Sequence, residues 1–122
     1  MNTIGYFEIQ SSSPQREIDF YNNVFSWAFI REYNVPIEYY RIETQSINGG
    51  LLQRPTNTPP SNFGTNAFTC SIQVSNFDET EKKIIACGGQ IAVPKFTIHN
   101  RCYQGYFIDQ DNNTFGIFEV IS

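Results

Sequence analysis

The sequence predicts an α+β fold built from two similar units, each with one strand, one helix and three further strands. Residues from Phe7 to Trp27 show an alternating strand followed by an amphipathic helix, and residues from Phe68 to Ala92 repeat that order. Neither unit is large enough to bury a core alone. We therefore expect the two to pack together and to leave a ligand groove between their sheets.

Length and composition limit the possible classes of protein. A chain of 122 residues is the usual size of one domain. Its net charge of −4 and the absence of a Lys/Arg cluster make nucleic acid an unexpected partner. The first residues do not resemble a signal peptide, and the apolar runs are too short to span a membrane. We therefore expect a cytoplasmic protein that does not contact a membrane. The cysteines form no C-x-x-C pair and are expected to be reduced, with Cys70 buried in a strand.

The first unit begins with a strand from Gly5 to Gln10, in which Phe7 and Ile9 share one face. Ser12-Ser13-Pro14 then predicts a helix with a hydroxyl N-cap and a proline in the first turn. Apolar residues follow at helical spacing. Three strands are predicted to complete the unit: Trp27 to Tyr33, Ile37 to Thr44 and Asn48 to Arg54.

A proline-rich connector separates the two units, because prolines among Thr, Asn and Ser cannot continue a sheet. We place module one at about 4–54, the connector at about 55–65 and module two at about 66–122 of a single domain, 1–122. In module two, Asn76 and Glu79 predict a capping box, and Gly88-Gly89 a helix stop. The predicted strands are Phe68 to Val74, Gln90 to Phe96, Arg101 to Ile108 and Thr114 to Ile121.

The order of these motifs resembles a known superfamily over essentially the whole chain. Phe7-Glu8-Ile9, Pro14 and Phe20-Tyr21-x-x-Val24-Phe25-x-Trp27 resemble the opening of the vicinal oxygen chelate superfamily, which includes glyoxalases, bleomycin resistance proteins and extradiol dioxygenases. Ile72-x-Val74, Gly88-Gly89 and the segment from Asp109 to Glu119 are similar to its second module. The resemblance implies two βαβββ modules in a curled mixed sheet with an open cup, and a homodimer.

The same resemblance implies where a metal would be held. Metalloenzymes of the superfamily carry four His, Glu or Gln ligands, one each on the first, fourth, fifth and eighth strands. The matching positions here are Tyr6, Gly50 or Leu51, Thr69 and Gly116. A catalytic transition metal needs about three imidazole, carboxylate or thiolate ligands, and none of these residues supplies one. We therefore predict a cup without metal or other cofactor.

Inward-facing strand residues are the candidates for the site. Glu8 lies two residues after Tyr6 on the predicted strand and so faces the same side of the sheet. Its carboxylate could act as a general base or bind a cationic ligand. A structural alternative is that the Glu8 carboxylate only accepts a hydrogen bond from a neighbouring Tyr or from Arg41. Further candidates are the polar wall of Tyr6, Thr69 and Ser71, position Gly116, and the aromatic pair Tyr103 and Phe118.

Two other motifs point away from chemistry. His99 lies in a predicted turn with no neighbouring Cys or carboxylate, which is typical of an incidental histidine. Asp109, Asp111 and Asn113 imitate the start of a calcium loop, but the loop's required glycine and glutamate are replaced by Thr114 and Val120. A tight hairpin turn explains this segment better.

Three functions remain open. The leading hypothesis is a metal-free small-molecule-binding protein with its ligand in the cup between the modules. The second is an enzyme, either a lyase or isomerase that uses Glu8 and a Tyr, or a metalloenzyme whose ligands lie elsewhere. The third is an interaction module in which paired chains bind another protein and the cup is vestigial.

Overall fold

The computed structural model describes residues 4–54 and 69–121 of the chain. The chain divides into two compact units, Met1–Thr58 and Pro59–Ser122. The predicted connector and Phe68 lie outside the described residues. In the part of the chain that the structure describes, no helix is long and apolar enough to cross a membrane.

The first unit has the predicted βαβββ order. Its elements are β1 (Phe7–Ser11), α1 (Pro14–Phe25), β2 (Ala28–Arg31), β3 (Tyr39–Glu43) and β4 (Gly49–Gln53). The strands form one sheet in the order β1-β4-β3-β2. β1 runs parallel to β4, and the other two pairs are antiparallel. A parallel pair at one edge follows from the helix crossover between β1 and the rest of the sheet.

The start of α1 differs in one respect from the prediction. Pro14 occupies the first turn, as expected, but the Ser13 side chain makes no capping hydrogen bond. Instead the Ser13 N–H donates to the Ser11 hydroxyl over 3.0 Å, and the Ser13 carbonyl accepts the first helical N–H groups. The predicted hydroxyl N-cap is therefore wrong: the buried Ser11 hydroxyl fixes the chain before the helix, not within it.

Aromatic rings join α1 to its sheet. The rings of Tyr21 and Trp27 are parallel within 4°, with centroids 5.5 Å apart, and Trp27 lies 5.7 Å from Phe7. Leu51 and Ile42 are fully buried with them. Because side chains alternate along a strand, Glu8 and Gly50 lie on the other side of the sheet. We call that side the open face of the first sheet; its members are Glu8, Tyr39, Arg41 and Gly50.

The second unit repeats the same topology. Its elements are β5 (Ser71–Gln73), α2 (Phe77–Ala86), β6 (Gln90–Ile98), β7 (Cys102–Ile108) and β8 (Thr114–Val120). The strand order is β5-β8-β7-β6, with β5 parallel to β8. The fold predicted from the sequence, α+β with two βαβββ modules, is thus confirmed.

Both ends of α2 follow the predicted signals. The N–H of Glu79 donates to Asn76 Oδ1 over 3.0 Å, which satisfies one of the free donors of the first turn. At the other end Gly88 has a φ of 95°, and the Gly89 N–H returns to the Ile84 carbonyl over 2.8 Å. A left-handed glycine in this position ends the helix without the penalty that a Cβ would bring.

Strand β5 is shorter than predicted, and this corrects the interpretation of Cys70. The strand begins at Ser71, and Cys70 is exposed just before it. The Cys70 carbonyl still accepts the Gly116 N–H of β8 over 2.8 Å, but the Cys70 side chain is open to solvent. The prediction that Cys70 is a buried residue of a strand is therefore wrong.

The turns around β7 are those that the sequence predicts. His99 is exposed in the turn between β6 and β7, where Asn100 has a φ of 59°. After β7, Asp109 Oδ1 accepts the N–H groups of Asp111 and Asn113 over 2.8 and 3.0 Å. The Asp109 carboxylate therefore stabilises a hairpin turn, as expected in place of a calcium loop.

Phenylalanines form the core of the second unit. Phe77 of α2 packs on Phe107, with ring centroids 6.1 Å apart, and Phe107 lies 6.0 Å from Phe115. A Cβ on Gly105 would lie 2.7 Å from the Phe77 ring, so β7 turns its odd-numbered residues toward α2. We call the other side the open face of the second sheet; it contains Ser71, Gln104, Tyr106, Gly116 and Phe118.

Candidate functional site

Three polar side chains form a hydrogen-bonded chain at the open face of the first sheet. The Tyr39 hydroxyl donates to Glu8 Oε2 over 2.6 Å, and the hydroxyls of Tyr39 and Tyr6 lie 2.8 Å apart. Tyr6 precedes β1 and is 47% exposed, so this row of hydrogen bonds ends at a residue that solvent can reach. The structure thus brings together two residues predicted for the site, Tyr6 and Glu8, and adds Tyr39 between them.

Gly50 makes room for this arrangement. A Cβ at Gly50 would overlap the hydroxyl and Cζ of Tyr39, and its three nearest atoms all belong to that side chain. Leu51, by contrast, is fully buried on the α1 side. The fourth-strand position that the sequence placed at Gly50 or Leu51 is therefore Gly50, because only this residue shares the face of Glu8, its partner in the β1–β4 register.

A similar cluster lies on the open face of the second sheet. Gln104 Nε2 donates to the Ser71 hydroxyl over 3.2 Å. A Cβ at Gly116 would overlap that hydroxyl and lie 2.7 Å from Gln104 Nε2. Of the residues predicted for the site, Ser71 and Gly116 are thus in contact, and Gln104 is the residue that joins them.

The strand registers show that the two clusters are equivalent. Gly50 pairs with Glu8 on one side and Arg41 on the other, and Tyr39 lies two residues before Arg41. Gly116 pairs in the same way with Ser71 and Tyr106, and Gln104 lies two residues before Tyr106. Each glycine therefore has its Cβ space filled by a polar side chain from the diagonal position of the next strand.

The remaining predicted site residues are placed differently. Phe118 is half-buried on the open face of the second sheet, paired with Gln104. Thr69 is exposed before β5. Tyr103 lies on the opposite face, with Lys95 Nζ 4.5 Å over its ring. Tyr103 lies four residues before Phe107 on the same strand and so faces α2, which puts it on the other face from Phe118. Its role in ligand binding stays a prediction.

Arg41 was one of the two predicted partners of Glu8, but the two side chains are not in contact. Its guanidinium lies 3.8 Å from a Glu32 oxygen and 3.9 Å from a Glu43 oxygen. The hydrogen-bond partner of Glu8 is a tyrosine, as the other alternative predicted. An open depression of about 620 Å³ begins at Tyr6; its lining includes Arg41 and Glu43 but neither Glu8 nor Tyr39.

These residues do not fit a transition metal. Two of the four expected ligand positions are glycines whose side-chain space is filled by Tyr39 or by Ser71 and Gln104. The donors near Tyr6 are one carboxylate and two phenols, whereas a catalytic site needs about three imidazole, carboxylate or thiolate ligands. Residues 4–54 and 69–121 contain no group of three or more His, Cys, Asp or Glu side chains able to hold an ion. The metal-free cup stays a prediction that requires measurement.

The surroundings of Tyr39 hold its proton in place. Burial raises the pKa of Tyr39 well above its ordinary value, and the hydrogen bonds to Glu8 and Tyr6 raise it further. The phenolate would be poorly solvated and would lie beside a carboxylate, so both effects favour the neutral form. Tyr39 is therefore a hydrogen-bond donor across the physiological pH range.

We expect this raised pKa to appear in the pH dependence of stability. An unfolded Tyr39 ionises near pH 10, whereas the folded one keeps its proton to higher pH. The contribution of Tyr39 to stability is thus complete below about pH 10 and is lost as the pH rises above it. Urea unfolding between pH 8 and 11 should show a steeper loss for the wild-type chain than for Tyr39→Phe. Equal losses would contradict this assignment.

Comparisons with known proteins support the fold but give no close relative. No protein-family model matches the chain, and no curated protein matches it. A glyoxalase/bleomycin resistance protein/dioxygenase family enzyme from Burkholderia phytofirmans PsJN is similar in structure, with a TM-score of 0.77 and 20% identity over 96% of this chain and 98% of that one.

Two further structures have the same fold. One is a variant of the fosfomycin resistance protein FosX from Listeria monocytogenes, complexed with Mn(II) and a dihydroxypropylphosphonic acid, with a TM-score of 0.78 and 14% identity over 99% of this chain and 94% of that one. The other is TioX from Micromonospora sp. ML1, with a TM-score of 0.71 and 16% identity over 98% and 100%. The chain therefore has the vicinal oxygen chelate fold of the glyoxalase/bleomycin resistance/dioxygenase proteins.

Proposed function

We propose that this chain is a small-molecule-binding protein that works without a metal, and that its ligand lies against the open face of the first sheet. The observation that carries this proposal is the hydrogen-bonded chain from Tyr6 through Tyr39 to Glu8. Tyr6 is the residue at the expected first-strand metal-ligand position. The Tyr39 side chain covers Gly50, the residue at the expected fourth-strand position. Polar side chains with fixed geometry are what a binding site uses to orient a ligand.

The fold and the nearby surface support a binding role. The similar FosX structure was obtained with a small phosphonic acid bound, together with Mn(II). In this chain the depression beside Tyr6 offers about 620 Å³ next to the polar chain. That volume is within the range of small-molecule sites in proteins. We infer that the open face of the first sheet binds small ligands through its own polar groups.

An enzyme that uses Glu8 and a tyrosine is the second candidate, and one contact favours it. The 2.6 Å hydrogen bond from Tyr39 to Glu8 is short, as expected for a carboxylate acceptor, and pairs a base with an acid. However, a phenol with a raised pKa is a weaker acid than an ordinary tyrosine, which disfavours proton transfer to a substrate. Turnover of any substrate that Glu8→Gln abolishes would favour the enzyme.

A thermal-shift screen with small metabolites tests the binding proposal. We expect at least one compound to raise the melting temperature, because a ligand that binds only the folded chain stabilises it by mass action. The shift should be the same with and without EDTA. Tyr39→Phe should reduce it by breaking the link between Tyr6 and Glu8. Tyr33→Phe is the matched control, since that ring is 80% exposed and contacts Arg31 instead.

A ligand shift that appears only with added divalent metal, and that EDTA removes, would contradict the proposal. An equal loss of binding in Tyr33→Phe and Tyr39→Phe would also count against the site. The screen therefore separates a metal-free site from a metal-dependent one whose ligands lie elsewhere in the chain.

Homodimerisation and the interaction-module alternative remain proposals. Strand β6 is the edge of its sheet, and Ile91, Val93, Phe96 and Ile98 are each about two-fifths exposed along it. Pro94 and two register shifts interrupt this edge, which disfavours direct strand pairing with another chain. A dimer through β6 would therefore use side-chain contacts rather than a continuous sheet.

A further inference from the structure

The hydrogen-bonded chain at the open face of the first sheet has a direction. Tyr39 donates its only hydroxyl hydrogen to Glu8 Oε2, because an ionised carboxylate can only accept. The Tyr39 oxygen must therefore be the acceptor in its 2.8 Å contact with Tyr6. Tyr6 thus donates its own hydrogen inward, and every hydroxyl hydrogen of the chain is used within it.

Within this hydrogen-bonded chain, only acceptors are left for a ligand. The lone pairs of the Tyr6 hydroxyl and Glu8 Oε1 make no further hydrogen bond with the residues that the structure describes. Glu8 is exposed, and Tyr6 is about half exposed. The high pKa of Tyr39 keeps this polarity from reversing at neutral pH. A ligand that donates hydrogen bonds fits these groups, and one that only accepts them does not.

The charge on this face points to the same chemistry. Arg41 is a cation of the open face, and its guanidinium already lies within 4 Å of both Glu32 and Glu43. Two carboxylates thus neutralise this one guanidinium and leave a surplus of negative charge before Glu8 is counted. An anionic ligand would meet that surplus, whereas a cation would reduce it.

We propose that the open face of the first sheet binds a protonated amine, with the ammonium group donating to Glu8 Oε1 and to the Tyr6 hydroxyl oxygen. This inference rests on the proposed function and specifies its ligand class. An ammonium group has three donors and no acceptor, so it complements two acceptors and a carboxylate charge. Charge-assisted hydrogen bonds of this kind are about twice as strong as neutral ones.

Three probes that share one ring and differ in charge test the proposal: benzylamine, benzyl alcohol and benzoate. Their affinities are measured by NMR titration of the full chain. Benzylamine should bind about tenfold more tightly than benzyl alcohol, because only the amine adds a charge-assisted hydrogen bond. Benzoate should bind most weakly. Glu8→Gln should remove the tenfold preference, because the carboxylate charge that favours the amine over the alcohol is then absent.

Two further variants keep the result interpretable. Glu38→Gln is the matched control, because the Glu38 carboxylate accepts from Tyr40 and lies 3.8 Å from Arg31, away from Tyr6. It should leave the amine preference intact. Tyr6→Phe removes the second acceptor and should also weaken benzylamine, so the test stands even if Glu8→Gln fails to fold.

The outcomes distinguish this inference from the proposed function. Benzylamine binding no tighter than benzyl alcohol, or an amine preference that survives both Glu8→Gln and Tyr6→Phe, would overturn the inference. Absence of benzylamine binding would overturn it as well. In each case the proposed function stands or falls separately, by whether the metabolite screen finds any ligand whose binding Tyr39→Phe weakens.

Discussion

Gly49→Ala is expected to destabilise the chain by about 1–3 kcal/mol, which is the usual cost of overpacking a core. A Cβ at this position would lie 2.5 Å from the Phe7 carbonyl oxygen and 2.7 Å from the Phe7 ring. Gly49 and Phe7 are partners in the parallel pairing of β1 with β4. Rotation of a side chain cannot relieve a contact with a backbone oxygen, so the two strands must separate.

Gly5→Ala is the matched control for this substitution. Nothing lies within 4 Å of a Cβ built on Gly5. Urea unfolding of the two variants should therefore show a clear loss for Gly49→Ala and almost none for Gly5→Ala. Equal stabilities of Gly49→Ala and the wild-type chain would contradict the close approach of Gly49 to the Phe7 backbone.

Gly50→Ala is expected to destabilise the chain less, by a different route. Its Cβ would overlap the Tyr39 hydroxyl, so Tyr39 must move and lose its contacts with Glu8 and Tyr6. We expect a loss of about 1 kcal/mol in stability, the usual net contribution of a hydrogen bond, because the Tyr39 side chain can rotate away from the new methyl group. Because the open face loses its hydrogen-bonded chain, ligand binding should fall as well.

A double-mutant cycle with Tyr39→Ala isolates this contact. The three atoms nearest to a Gly50 Cβ all belong to Tyr39, so Gly50→Ala should cost less than about 0.5 kcal/mol once that side chain is truncated. The cycle is measured by urea unfolding of the four chains. A cost of Gly50→Ala that is the same in both backgrounds would show that Tyr39 does not occupy the space above Gly50.

Much of the fold could be predicted from the sequence because its signals are local. Alternation identified the strands, Asn76 identified the start of α2, and Gly88 identified its end. The errors arose where contacts between residues, rather than the local sequence, determine the capping of a helix or the burial of a side chain. The buried Ser11 hydroxyl took the place of the Ser13 cap, and Cys70 is exposed although its carbonyl is hydrogen-bonded to β8.

The site could be predicted only in part, for a related reason. The alternation of side chains along one strand placed Glu8 and Ser71 on open faces, and the family resemblance pointed to Gly116. Tyr39 and Gln104 could not be found in this way, because each reaches its glycine diagonally from a neighbouring strand, and register is not visible in one strand. Phe107 is buried and lies four residues after Tyr103 on the same strand, so both side chains point to the same face. This even spacing was the available signal that Tyr103 faces α2.

Elemental analysis of the purified chain tests most directly whether polar side chains have replaced a metal in this fold. The protein is expressed in medium that contains Mn, Fe, Ni and Zn and is purified without chelator. We predict no stoichiometric transition metal, because Gly50 and Gly116 offer no ligand and their side-chain space is filled. One ion per chain that is lost in Tyr6→Phe or Glu8→Gln would contradict this account.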